Sequence, residues 1–327
     1  MDKDIYGKIK SFFAQLKALV LLFLLLSGCA KNTHPKPSDL PEVNLRFIRF
    51  EQLFFGKENI PLQHLKKTYP YFFPEATPDS VWHNKRKDSL QLALFQATQT
   101  LKSDDLRQRI TAVLQHVKFY FPETPMPKKA ITLLTDVDYS LRAVDADSLL
   151  LLSIDTYLGS THQLYKGIPL YIKQTLQSAY IESELVDALA PRFVPKSPGR
   201  SFLAQMIAHG KRLLLHDYFL PHLAQKNHLQ YTTEQWDWAM AHEEEVWDYF
   251  IANELLFSTS DKLSFRFLTP APYSKFYTYL DVGSPGRIGQ WIGYRIVHAY
   301  QKRTGASLYE VLEADAQEIL KKSRYNP

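Results

Sequence analysis

Two segments of the chain bring histidine and glutamate close to the spacing at which zinc hydrolases work. In such enzymes His-Glu-x-x-His sits on one helix: the two imidazoles, one turn apart, share the metal, and the Glu activates its water. The segment QMIAHGKRLLLHDYF, Gln205 to Phe219, supplies His209, but Gly210 stands where the Glu belongs and Leu213 where the second His belongs. His216 lies seven residues beyond His209, on the same face but about 10.5 Å along the axis, too far to share one ion. The segment HEEEVW, His242 to Trp247, begins as His-Glu-x-x and then has Val246 in place of the second His. His242 with Glu245 would bind metal only with a third ligand from elsewhere, and a solvated acidic helix face is the commoner use of such a run. No metal or other cofactor is therefore expected. Gln205, His209, Arg212 and His216 read as a polar stripe opposite Leu203, Met206, Ile207, Leu214 and Tyr218. The partner-contacting residues expected on exposed helix faces are His209, Arg212, His216, Glu243 and Glu244.

No Gly-x-Ser-x-Gly elbow is present, and the chain has one cysteine, Cys29, so no nucleophile signature remains and no catalytic residue is expected. Cys29 closes the stretch ALVLLFLLLSGC, behind nine apolar residues, Ala18 to Leu26. A membrane-spanning helix needs roughly 20 apolar residues, so this run is too short. A secretory signal fits: Lys3, Lys8, Lys10 and Lys17 precede the apolar run, and small residues follow it. Leu26-Ser27-Gly28-Cys29 has the form of a bacterial lipobox, in which the thiol is acylated and becomes the first mature residue. Residues 1–28 are thus expected to be a lipoprotein signal peptide, residues 29–41 a lipidated, proline-containing tether, and residues 42–327 the periplasmic domain. Two or more acyl chains hold a protein stably on a bilayer. Ala30 rather than Asp after the cysteine, with no acidic cluster beyond it, points to the periplasmic leaflet of the outer membrane.

Loss of residues 1–28, with four lysines and two aspartates, takes the formal charge from +5 to +3. No block of like charge, no basic stripe interleaved with aromatics and no Gly-rich phosphate loop is present, so neither nucleic acid nor nucleotide is an expected partner. No internal linker and no fixed-period repeat divides the mature chain.

Hydrophobic patterning supplies the elements. VNLRFIRF, Val43 to Phe50, alternates as a half-buried strand, and Ser89 to Phe119 has the three-and-four spacing of helices. Three β-rich runs separated by Asp-rich turns follow, Ala130 to Val137, Leu141 to Val144 and Ser148 to Ile154. From Leu170 the pattern is helical almost throughout. Thr232-Thr233-Glu234 starts a long helix, and Ser284-Pro285 reads as an N-cap with proline at the first helical position. Gly289 and Gly293 lie on one face of the next helix, where they would let another backbone approach. The aromatic loops near Tyr69 to Phe73 and Pro270 to Tyr277 are further candidate contact surfaces. The class is α+β: a mostly helical single domain with a small sheet of three to four strands.

The lipobox, RFEQLFF with YPYFFPE, VKFYFP, DADSLLLLSIDTYLG, GKRLLLHDYFLP, YTTEQWDWAMAHEEEVWDYFIANELLFST, PAPYSKFY and SPGRIGQWIGYRIVHAY together resemble the gliding-motility lipoprotein B (GldB) family of Bacteroidota. The resemblance runs from the signal to about Ser323 with order kept. It implies a lipid-anchored component of gliding motility, working with the envelope machinery that also serves type IX secretion, with other gliding or secretion proteins as partners and no established enzymatic activity. Parts of SPGRIGQWIGYRIVHAY and the YLG segment also resemble predicted zinc-dependent peptidases. That likeness implies a peptidase-like scaffold without its metal, and a periplasmic metallopeptidase with an unorthodox site is the alternative reading.

Overall fold

The β-rich runs form one four-stranded sheet in the computed structural model, which describes residues 34–58, 60–194 and 199–327. The strands are β1 (Arg46–Arg49), β2 (Lys129–Leu133), β3 (Ala143–Ala146) and β4 (Leu149–Ser153), in the order β1-β2-β4-β3. β2 pairs in parallel with both β1 and β4, while β3 and β4 form an antiparallel hairpin. Asp147 makes the hairpin turn at φ 54, a left-handed conformation that aspartate tolerates better than most residues. β1 is shorter than its alternation predicts. It is covered from both sides where it meets β2, so Ile48 and Arg49 are both buried, and Phe50 turns at once into a short helix, Phe50–Phe55.

The helices of eight residues or more are α1 (Asp79–Lys87), α2 (Ser89–Thr98), α3 (Ser103–Tyr120), α4 (Ile181–Leu189), α5 (Phe202–Phe219), α6 (Thr233–Ala241), α7 (Glu243–Ala252), α8 (Ile288–Thr304) and α9 (Ala316–Ser323). The main core joins β2 and β4 to α3, α4, α5 and α8. The residues Leu106, Ile110, Val113, Leu114 and Val117 all point into it, as their spacing predicts. α5 and α8 cross where Gly210 meets Gly293. A Cβ on Gly210 would lie 2.3 Å from the Gly293 carbonyl oxygen, and one on Gly293 would lie 2.0 Å from that of Met206. Both glycines therefore serve backbone-to-backbone contact, and Gly289 likewise faces Phe267 and Leu268.

Two expected helix boundaries move. The helix opened by the Thr232–Gln235 capping box ends at His242, and a new one starts at Glu243, so the predicted long helix is two. Ser284-Pro285 does not cap α8. Arg287 holds that position at φ 66, and the Ser274 hydroxyl accepts from the Ile288 N–H while donating to the Pro285 carbonyl. A hydroxyl from a neighbouring loop satisfies the orphan helix donor that local sequence assigned to Ser284.

The chain divides at Asp39, and the unit from Leu40 to Pro327 carries all the elements above. In the unit before it, the Asp39 carboxylate accepts from the Lys36 N–H across the Pro37–Asp39 turn. Among the described residues no helix is long and apolar enough to cross a membrane. Cys29 and the signal lie outside the described residues.

Candidate functional site

The chemistry-bearing residues gather in a buried ionic seam where α4, α5 and the start of α8 meet. The sequence of α4, IESELVDAL, buries Ile181, Leu185, Val186 and Leu189. Glu184 and Asp187 are three apart and so project from one side of it. Arg142, at the entry to β3, meets Glu184 at 2.7 Å, and Arg212 of α5 meets Asp187 at 3.2 Å. His216 Nε2 lies 3.0 Å from the same Asp187 oxygen. Farther along α5, Asp217 accepts from the Tyr294 hydroxyl at 2.8 Å and faces His228 Nδ1 at 3.4 Å.

Burial and charge compete at each group. Burial raises the Glu184 carboxyl, with Arg142 opposing it. Burial would raise Asp187 too, but Arg212, His216 and Arg287 outweigh it and hold that carboxyl well below its usual range. His209 is pushed down to about 3 by burial and by Arg212, whose guanidinium donates to its Nδ1 at 2.8 Å. Burial also lowers His216. Both imidazoles are therefore neutral at pH 7.

Arg287 stands over the Tyr231 ring at 5.8 Å and donates to the Leu229 carbonyl. Tyr231 in turn donates to the Gly286 carbonyl at 2.7 Å. Arg142, Arg287, Gln230 and Tyr231 line a cavity of about 290 Å³.

The expected partner face is corrected by burial. His216 is fully buried, His209 and Arg212 face into the seam, and Glu243 is buried against Arg295 and the Tyr325 hydroxyl, each 2.7 Å away. The polar stripe on α5 is thus an interior ionic contact whose partners come from α4 and α8 of the same chain. Glu244 alone of the five is exposed. Of the two aromatic loops, Tyr69 and Phe73 belong to the core, whereas Tyr277 is 75% exposed.

Neither histidine segment fits zinc. Gly210 has no room for any side chain, let alone a Glu, and Leu213 is buried among apolar neighbours. His242 stacks on Trp238 with ring centroids 4.3 Å apart and its Nδ1 on the Trp238 carbonyl, Glu245 accepts from the Tyr279 hydroxyl, and Val246 is in the core. Among the described residues no three His, Cys, Asp or Glu side chains converge to hold an ion.

Glu184, Asp187, Arg142 and Arg287 were missed from sequence. The acidic pair on the buried side of α4 was a legible signal, since unpaired carboxylates are rarely buried. Arg287 carried none, because its position depends on a cap supplied by Ser274.

Among the described residues, one small four-stranded mixed sheet beside a packed helical layer defines an α+β single domain. The model of the gliding motility protein GldB family matches residues 30–327, nearly the whole chain, and the chain belongs to that family of gliding-motility lipoproteins. No curated protein and no solved structure matches.

Proposed function

We propose that the protein is a non-catalytic outer-membrane lipoprotein, held by acylated Cys29 with its domain in the periplasm, that assembles with other gliding and type IX secretion components. The observation that carries the non-catalytic reading is Gly210. In the His209 segment, where a metal helix needs its glutamate, the backbone of α8 fills the space. Family membership supports the motility role.

Phe265, Tyr277, Tyr279 and Val282 are each more than two-thirds exposed within one stretch of chain, and exposed apolar side chains gathered in this way are what proteins keep for partners. A tagged pull-down from outer membranes should recover gliding or secretion lipoproteins, and a Tyr277→Ser, Val282→Ser double variant should recover fewer. Cys29→Ala should abolish acyl labelling and release the protein from the membrane fraction; retention there would refute the anchor. One tightly held zinc per chain after chelator-free purification would refute the non-catalytic reading.

A further inference from the structure

We propose that the cavity beside Arg287 and Arg142 binds a monoanionic organic carboxylate borne on a group about the size of one amino-acid residue. The cavity holds about 290 Å³, at the low end of ligand-sized pockets, which suits a single small group rather than an extended chain. Its walls combine Tyr139, Tyr171 and Ile172 with the polar ends of Thr175, Gln174 and Gln235. That is an apolar lining with a few polar groups to orient an occupant.

The charge balance selects the headgroup. Three guanidiniums, Arg142, Arg212 and Arg287, share the seam with two carboxylates, Glu184 and Asp187, each already claimed by one arginine. Among the described residues Arg287 has no carboxylate within ion-pair distance, and its guanidinium donates to the backbone carbonyl of Leu229. Asp187 and Glu184 reach Arg287 only across a distance, and a largely desolvated cation without a paired counter-charge is costly. With His209 and His216 neutral, the three arginines and the two carboxylates that act on Arg287, Glu184 and Asp187, leave one positive charge, which one negative charge from a ligand cancels; Asp217, farther along α5, faces His228 and the Tyr294 hydroxyl instead. A phosphate, carrying about 1.5 to 2 negative charges, overshoots and faces Glu184 and Asp187. The planar guanidinium fork matches a carboxylate in bidentate geometry, and the positive end of α8 begins at the same residue.

The test is calorimetric titration of the full-length protein in detergent with acetate, N-acetyl-phenylalanine, N-acetyl-phenylalanine amide and inorganic phosphate. The acid is expected to bind at least about tenfold more tightly than its amide, the difference one charged hydrogen-bonded pair supplies. Phosphate is expected to bind more weakly than the acid. Arg287→Gln is expected to lose the preference for acid over amide. Because that variant removes a buried group, Ile172→Trp provides a second check: it fills the cavity, leaves every arginine in place and should abolish binding. Equal affinity for acid and amide, tighter binding of phosphate, undiminished binding by Ile172→Trp, or no binding of either carboxylate would each overturn the assignment.

Discussion

The aromatic cluster under the short helix Phe50–Phe55 and the ionic seam between α4, α5 and α8 fill the interior by opposite means. In the first, Phe50 packs on Phe72 at 4.6 Å and on Tyr69 at 5.3 Å, and Phe73 meets Trp82 edge-on at 5.0 Å. These contacts are short-ranged and indifferent to pH and salt. In the second, Arg142 with Glu184 and Arg212 with Asp187 form pairs, and the removal of one member leaves the other desolvated and uncompensated. The aromatic cluster earns its stability by area, while the seam confers none cheaply but dictates which group must face which. The seam borders the cavity of about 290 Å³, whereas the cavity at the aromatic cluster, beside Phe50, Phe73 and Trp82, holds about 110 Å³.

The comparison breaks most sharply at the glycine contact that holds the seam's two long helices together. Gly293→Leu should cost more than about 4 kcal/mol and abolish a cooperative urea transition, because the Met206 carbonyl occupies the space of its first carbon. A retained transition would mean that α5 and α8 do not touch there. Next, Asp187→Ala should cost about 3–5 kcal/mol by stranding Arg212. Phe73→Ala should cost a similar 3–5 kcal/mol, from lost transfer energy and a cavity. Denaturant midpoints at pH 7.5 and 5.5 tell them apart: the Phe73 deficit should be the same at both, and the Asp187 deficit should change.

Acid gives the next effect. His209 has a folded pKa near 3 against about 6.5 when unfolded, so below pH 6.5 the unfolded chain takes a proton that the folded one refuses. Stability should fall as pH drops, by up to about 1.4 kcal/mol per unit for this histidine. His216 and His298, also lowered, act in the same direction. Glu184, raised by burial, acts in the opposite direction, so comparison with His209→Gln isolates the histidine share. His209→Gln should flatten that slope; an unchanged slope would remove His209 from the seam. Smallest of all, Lys322→Ala breaks an exposed pair with Glu318 on α9 and should leave the midpoint unmoved.

The parts of this architecture that depend on periodicity were legible in the sequence. The α3 stripe, the β3–β4 hairpin and the close approach at Gly293 all follow from local spacing, because burial on one side imposes it. The seam was not legible, because polar residues at three-and-four spacing look alike whether they face water or another helix. His216 and Arg212 were read as an outer face, since nothing near them in sequence announces Glu184 and Asp187 some 30 residues earlier. The start of α8 failed for a related reason: the hydroxyl that caps it arrives from Ser274, in a separate loop.

The Gly210–Gly293 contact also governs the order of events in folding. Its two halves lie roughly 80 residues apart, so a large loop must close before either helix gains its neighbour. A chain emerging N-terminus first would have β1 to β4 available for pairing while α5 still lacked its partner. Only when the last eighth of the chain arrived would the seam, and the cavity beside it, be assembled. For this protein, premature termination anywhere before α8 should yield an open sheet with exposed α5 rather than a smaller working domain.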